Sequence, residues 1–189
     1  MAKLCRLVYA FEASPTNFKV LQKNIKLSKL DNVEAFQDII NEDGEAGLLY
    51  HCDQNSGMHR IYKSNFCNKK PISVRGFNID SWFLQCLPVH PPVNFVKMDI
   101  EGAELGALKG MRQTLEYHHP ILLMEFHPPS IEEYGASPEE EYNFLKTLGY
   151  SIRLIPKISI PISFTDLEKE TRKESGRNII CLPPDQTPF

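Results

Sequence analysis

The sequence VKMDIEGAE, residues Val96–Glu104, joins an apolar strand to a helix through two acids and a glycine. Asp99 and Glu101 alternate at the end of this strand, which places them at the rim of a sheet, where open α/β folds bind ligands. Gly102 lets the backbone pass close to a ligand or to a neighbouring strand. The stretch therefore predicts a strand-to-helix corner that holds a polar ligand.

Apolar runs and helical spacings alternate along the chain on both sides of this corner. The predicted strands are residues 7–11, 33–36, 93–99, 121–126, 150–155 and 178–182. The predicted helices are residues 14–30, 80–87, 103–116 and 137–149. This order is typical of an α/β fold with a mostly parallel sheet and helices on both faces. A chain of 189 residues suffices for one such domain, so residues 1–189 are predicted to form a single domain.

Charge, hydropathy and cysteine content exclude several classes of protein. The 21 basic and 24 acidic residues give a net charge of -3, which offers no basic surface for nucleic acid. No apolar run approaches the roughly 20 residues that span a bilayer, and the first residues do not form a signal peptide. The five cysteines lack the short spacings of metal sites. We expect a cytoplasmic protein with reduced thiols, no metal site and no membrane segment.

Acidic side chains also end other predicted strands. Glu12 follows the first strand and precedes a Ser-Pro helix start, a position that suits hydrogen bonds to the two hydroxyls of a ribose. An acid at this position can also stabilise the helix dipole. Asp38 lies just past the next strand. Glu125 and His127 lie two residues apart, so they face the same side if the strand continues and can then form an acid/base or metal pair. His127 can equally just cap the loop before Pro128.

The acids of the corner allow several chemistries. Asp99 and Glu101 can orient an amine of a ligand, accept a proton from a hydroxyl nucleophile, or bind a hard divalent cation together with Glu125. Glu101 and Glu104 can instead stabilise the first turn of the following helix through its dipole. We assign a functional role to Asp99 and the helix-stabilising role to Glu104.

Three stretches together resemble the FkbM family of S-adenosylmethionine-dependent methyltransferases: VYAFEASP at 8–15, KMDIEGAE at 97–104 with LKG at 108–110, and PILLME at 120–125. Their order and spacing match the family over residues 7–155. The resemblance implies a class I methyltransferase fold with a Rossmann-like, mostly parallel sheet. It also implies a bound S-adenosylmethionine and methylation of an oxygen on a small molecule or sugar.

The same resemblance implies a role for each candidate residue. Glu12 would hold the ribose hydroxyls, and Asp38 or its neighbours would lie near the adenine. Asp99 would border the methionine part and the methyl group, and Glu101 would belong to the same cofactor site. The base that removes the proton of the acceptor would be Asp99, Glu125 or His127.

The chain departs from this family at its N-terminus. Family members carry a first strand and a glycine-rich loop, which wraps the methionine part of the cofactor, ahead of the strand that matches residues 7–11. Here only residues 1–6 precede that strand, and they contain no glycine. We expect an N-terminally truncated domain in which the missing first strand and helix leave open strand edges.

Two other functions fit parts of the sequence. A catalytically inactive methyltransferase fragment would act as an interaction module and pair its open edges with a partner or with a second copy of itself. A nicotinamide-dependent oxidoreductase would also use Glu12 for a ribose, but it leaves the corner at 99–104 unexplained. A methyltransferase that acts on a small-molecule or sugar acceptor accounts for most of these features.

Overall fold

The structure is a computed structural model that describes residues 2–52, 59–64, 67, 70–86, 91–172 and 176–184. Contacts within the chain group into two compact units, Met1–Phe77 and Asn78–Phe189. We call them unit 1 and unit 2. That residues 1–189 form a single domain stays a prediction.

Unit 1 contains short strands and one long helix. A 3-10 helix at Ala2–Leu4 is followed by β1 (Val8–Phe11), α1 (Pro15–Leu27), β2 (Val33–Phe36), β3 (Ile39–Ile40), β4 (Gly47–Leu49), β5 (Ile72–Val74) and β6 (Gly76–Phe77). β1 and β2 are parallel, as are β3 and β6, whereas β4 and β5 are antiparallel. The strand–helix–strand order predicted for the start of the chain is confirmed.

The start of α1 follows from the two residues at its N-terminus. The Ser14 hydroxyl accepts the Asn17 amide at 3.4 Å, and Pro15, which has no amide to satisfy, occupies the first turn. The helix ends at Leu27, earlier than predicted, and Lys29 then turns into the left-handed region with a φ of 52°. The sequence signals thus place the start of this helix more accurately than its end.

Two small apolar clusters stabilise unit 1. The rings of Phe11 and Phe36 stack across β1 and β2 with centroids 5.0 Å apart, and the ring of Phe77 also lies 5.0 Å from Phe11. The second cluster consists of buried side chains from β3, β4 and β5: Ile39, Leu49 and Val74. Burying a large apolar side chain contributes about 1.5–3 kcal/mol, so both clusters matter in a unit with such short strands.

A disulfide joins Cys52 to Cys67 within unit 1. The expectation that the cysteines are reduced is therefore wrong for this pair. The two residues are 15 positions apart, a spacing that carries no disulfide or metal signal by itself. In the part of the chain that the structure describes, Cys5 and Cys181 are free thiols.

Unit 2 contains a four-stranded sheet and several helices. Its elements are α2 (Ile79–Cys86), β7 (Phe95–Met98), α3 (Glu104–Lys109), α4 (Arg112–His118), β8 (Ile121–Phe126), α5 (Pro128–Tyr134), α6 (Pro138–Thr147), β9 (Ser151–Leu154), α7 (Phe164–Arg172) and β10 (Arg177–Leu182). The strands are hydrogen-bonded in the order β7-β8-β10-β9, so β7 forms one edge of this sheet.

The predicted mostly parallel sheet is wrong for unit 2. β7 and β8 are parallel, but β10 runs antiparallel to both β8 and β9. β10 fills the place between these two strands, where Ile179 and Cys181 are completely buried. Because an apolar strand has the same pattern in both chain directions, the sequence predicts the strand and its burial but not its direction.

A second correction concerns the helix that follows the corner. The spacing predicts one helix over residues 103–116, whereas the structure has two, α3 and α4, with a break between them. Asp80 of α2 stabilises the start of α4. Its carboxylate accepts the amides of Gln113 at 2.8 Å and Thr114 at 2.9 Å, and also the Thr114 hydroxyl at 2.7 Å. Asp80 thus supplies acceptors for amides that have no partner within the first turn of α4.

The core of unit 2 combines side chains from the sheet and from the helices. Its largest fully buried side chains include those of Leu108, Leu115, Leu122, Met124, Phe126, Ile131, Leu145, Tyr150, Ile152, Leu167 and Ile179. The Tyr150 hydroxyl donates to the carbonyl of Pro120 at 2.9 Å, which satisfies the polar end of this buried ring. Within the described ranges no helix is both long and apolar enough to cross a bilayer.

We expect Asp80→Ala to lower the free energy of unfolding by about 2–3 kcal/mol, because it leaves the first amides of α4 without their carboxylate acceptor. Urea denaturation followed by circular dichroism measures the loss. The control is Glu116→Ala on the same helix, which removes an exposed ion pair with Arg112 and should change the free energy by less than about 0.5 kcal/mol. Equal losses in the two variants would contradict the capping role of Asp80.

Candidate functional site

The corner predicted at residues 96–104 lies at the junction of β7 and α3. Asp99, directly after β7, is exposed and forms an ion pair of 3.0 Å with Lys97. Glu101 and Gly102 follow with φ angles of 58° and 96°, both in the left-handed region. These two consecutive residues form a tight turn that leads directly into α3.

Gly102 packs against the backbone of α5. A Cβ atom at this position would lie 2.5 Å from the carbonyl carbon of Ser130 and 2.9 Å from the amide nitrogen of Ile131. Side chains do not approach backbone atoms this closely, so the contact requires glycine for its space as well as for its φ angle. The predicted close approach at Gly102 is present, although its partner is a helix rather than a strand.

Glu104 is buried at the start of α3, with 1% of its surface exposed. Its Oε1 accepts the amide of Ile100 at 3.0 Å. Burial raises the pKa of Glu104 to about 7, the backbone amides of Ile100, Glu104 and Gly102 oppose this rise, and the charge of Glu125 adds to it. The predicted helix-stabilising role of Glu104 is incomplete, because its carboxyl is also buried and bonded to the backbone of the corner.

The end of β8 brings together the predicted acid/base pair. Every second residue along β8 is buried and Glu125 lies on its less buried side, whereas His127 comes directly after the strand and is half-buried. A Cβ atom at Gly176 would lie 2.5 Å from Oε1 of Glu125 and 3.1 Å from Cβ of His127. The side chains of Glu125 and His127 therefore both lie against Gly176, which has no side chain and leaves room for them.

The imidazole of His127 is oriented by Ser130. Nδ1 of His127 and Oγ of Ser130 share a hydrogen bond of 2.7 Å, and Ser130 is only 1% exposed. His127 also occupies the N-cap position of α5, a helix that the sequence analysis did not predict. Because the backbone of the same serine contacts Gly102, the corner and the end of β8 form one packed arrangement.

Glu12 is half-buried at the end of β1 in unit 1. Its Oε1 accepts the Ser14 amide at 2.7 Å, and its own amide donates to the carbonyl of Phe36 at 3.0 Å. Its second oxygen, Oε2, accepts no hydrogen bond from the residues that the structure describes. One oxygen therefore holds the carboxylate in place, and the other accepts nothing from the described part of the chain.

Asp38 is buried and paired with Arg75 in unit 1. Its two oxygens accept from Nε of Arg75 at 2.5 Å and from Nη2 at 2.8 Å, and the Asp38 side chain is 1% exposed. Hydrogen bonding to Asp38 raises the pKa of Arg75, so the guanidinium stays charged. Asp38 thus anchors an arginine, and its carboxylate presents no exposed oxygen to a ligand.

Metal binding finds no support in this arrangement. Among the residues with a described position, no group of three or more histidine, cysteine, aspartate or glutamate side chains is placed to hold a metal ion. The divalent-cation alternative for Asp99, Glu101 and Glu125 therefore has no such group behind it in the described part of the chain.

Sequence reasoning missed Ser130 and Gly176. Ser130 lies three residues after His127, the spacing at which the N-cap of a helix meets its first turn, and a helix start at Pro128 would have indicated it. Gly176 gave no comparable signal. It lies beside Glu125 only because β10 runs antiparallel to β8, which the sequence does not reveal.

The chain is similar to known methyltransferases. The family model described as Methyltransferase FkbM domain matches residues 1–152. A protein of Beauveria bassiana (strain ARSEF 2860) described as Methyltransferase 1 is 28% identical over a 120-residue alignment that covers 55% of this chain and 48% of that protein. The crystal structure of methyltransferase FkbM from Methylobacillus flagellatus KT has a similar fold, with a TM-score of 0.54 and 17% identity. The match covers 94% of this chain and 36% of the solved chain. The chain thus spans about half the length of the curated relative.

We expect Gly102→Ala to lower the free energy of unfolding by about 3–5 kcal/mol, because a methyl group would meet the backbone of Ser130 in addition to straining φ. The matched control is Gly135→Ala. Gly135 has a similar φ of 98° but no atom within 4 Å of its Cβ position, so only the backbone strain of about 1–2 kcal/mol is expected. Urea denaturation of both variants separates the two effects. Similar losses would show that the contact with Ser130 is unimportant.

Proposed function

Because the chain belongs to the methyltransferase FkbM domain family, we propose that it binds S-adenosylmethionine and transfers the methyl group to an oxygen of a small molecule or sugar. The structural observation that carries this proposal is Glu12. Its carboxylate is fixed by the Ser14 amide and has a second oxygen available at the end of a parallel strand. A carboxylate in that place suits the two neighbouring hydroxyls of a ribose.

Asp38 supports a site for the adenine of the cofactor less directly than Glu12 supports one for the ribose. Both of its oxygens already accept from Arg75, so the carboxylate is proposed as a neighbour of the adenine and not as its hydrogen-bond acceptor. The exposed Gln37 beside it has an amide that can contact the base. The residues present in unit 1 thus fit a nucleoside through Glu12 and through the surroundings of Asp38.

The corner is proposed to hold the methionine end. Asp99 is exposed and negatively charged, which favours a ligand amine, and Glu101 follows it in the tight turn before Gly102. S-adenosylmethionine supplies a methyl group that is activated by its sulfonium charge. The task of the chain is to hold the acceptor oxygen in line with that methyl group and to receive the proton that the oxygen loses.

Three residues are proposed as candidates for the base, and the surroundings of each differ. Asp99 is exposed and forms an ion pair of 3.0 Å with Lys97. Glu125 and His127 lie together on the less buried side of β8. His127 is also oriented by the Ser130 hydroxyl, as the general base of a positioned acid/base pair requires.

Cofactor binding is tested by isothermal titration of the full chain with S-adenosylmethionine. Glu12→Gln should weaken binding roughly 10- to 100-fold, because a charge-assisted hydrogen bond contributes about 1.5–3 kcal/mol. The control is Glu34→Gln, which changes the same charge at an exposed site on the neighbouring strand and should leave the affinity within about threefold. The absence of binding at millimolar cofactor, or equal effects of the two variants, would contradict the proposal.

The base is tested by following the release of S-adenosylhomocysteine with a set of monosaccharides and small alcohols as acceptors. Of Asp99→Asn, Glu125→Gln and His127→Ala, the variant that removes the base should lower turnover about 10²- to 10⁴-fold while cofactor affinity stays within a few-fold. A variant that loses affinity and turnover together identifies a binding residue instead. If none of the three lowers turnover, the proposed set of bases is wrong.

A further inference from the structure

Helices α3 and α6 pack against each other, and each contributes one buried glutamate to unit 2. Glu104 at the start of α3 is 1% exposed, and Glu141 in the first turns of α6 is fully buried. Neither residue has a part in the proposed methyl transfer. Buried acids are rare because an ionised carboxylate loses its hydration, so each of these two requires an explanation.

Glu104 has hydrogen-bond donors within the corner itself. Its Oε1 accepts the amide of Ile100 at 3.0 Å, and the amides of Gly102 and Glu104 also favour its charged form. These donors belong to the turn in which Glu101 and Gly102 have left-handed φ angles. A carboxyl that accepts an amide of this turn favours one orientation of that amide, because any other orientation gives up the hydrogen bond.

Glu141 differs from Glu104 in having no such donors. Among the described residues, neither of its carboxyl oxygens has a hydrogen-bond partner. Burial raises the pKa of Glu141 well above its ordinary value, and the charge of Glu104 raises it further. Burial therefore favours the neutral form of Glu141, whereas the backbone amides near Glu104 favour the charged form of that residue.

Other ionisable groups surround these two acids. Glu125 of β8 acts on Glu104, and the buried Cys181 of β10 is influenced by Glu141. At the surface, Nζ of Lys109 and Oε1 of Glu140 form an ion pair of 2.8 Å that also links α3 to α6. This surface ion pair links the two helices without Glu104. The hydrogen bond that Glu104 accepts at 3.0 Å belongs to the corner instead.

We propose that Glu104 is the positioning residue of the corner, and that its carboxyl holds Asp99 and Glu101 in the geometry that receives the cofactor. The proposal rests on the proposed function in so far as the corner binds S-adenosylmethionine. Glu104 does not touch the ligand; it acts through the amide of Ile100. Glu141 fills space beside it and does not contact the turn through a hydrogen bond.

Three variants of the full chain test this role. Glu104→Met keeps the length of the side chain but removes the acceptor, Glu104→Gln keeps one acceptor oxygen, and Glu141→Met makes the same apolar change in the facing helix. Two quantities are measured for each: the hydrogen exchange of the Ile100 amide by NMR without ligand, and the dissociation constant for S-adenosylmethionine by isothermal titration. The first measurement does not depend on the cofactor.

We expect Glu104→Met to speed Ile100 exchange and to weaken cofactor binding by about tenfold or more each, since the partly buried amide of Ile100 loses its acceptor. Glu104→Gln and Glu141→Met should leave both quantities within about threefold of the unmodified chain. If the two variants of Glu104 behave alike, or if Glu141→Met has as large an effect as Glu104→Met, the role is one of packing and the proposal is overturned. If the unmodified chain does not bind the cofactor, the proposed function fails, and the exchange of Ile100 still decides whether Glu104 positions the corner.

Discussion

The candidate site of unit 2 depends on the contact between Gly102 and the backbone of Ser130. This contact fixes the corner against the first turn of α5, and it is possible only because residue 102 has no side chain and a φ of 96°. The hydroxyl of the same serine holds the imidazole of His127. One backbone contact therefore relates the exposed Asp99 after β7 to Glu125 and His127 at the end of β8, the predicted acid/base pair.

The parts of the fold that could be predicted are those encoded by neighbouring residues. The start of α6 is an example: Ser137 accepts the Glu140 amide at 3.3 Å and proline occupies the first turn, as its sequence predicts. The break between α3 and α4 could not be predicted in this way. The amides at the start of α4 donate to Asp80, which lies 33 and 34 residues earlier in the chain. The same limit applies to the direction of β10 and to the disulfide, both of which depend on the folded chain.

Local sequence patterns predict some features of the site, and others depend on contacts that form only in the folded chain. The positions of Asp99, Glu125 and His127 at strand ends follow from the pattern of apolar residues, and the structure has them there. The burial of Glu104 does not follow from that pattern, since an acid in the first turn of a helix is ordinarily exposed. For Glu141 a signal was available: it stands four residues before Leu145, on the side of α6 that also carries Leu148, and all three are buried.

Burial gives the acids of the corner different tasks. Asp99 is exposed and paired with Lys97, so a ligand can use its charge, whereas Glu104 is enclosed and has a pKa of about 7. Folding raises the pKa of this carboxyl from 4.5 to about 7. At pH values between these two numbers the folded state therefore binds more protons than the unfolded state. Its contribution to the stability of unit 2 is therefore fully present below that interval and is lost as the pH rises through it. Ionisation of Glu104 thus lowers the stability of unit 2 near neutral pH. The hydrogen bond from the backbone of the corner to its carboxyl offsets part of this loss.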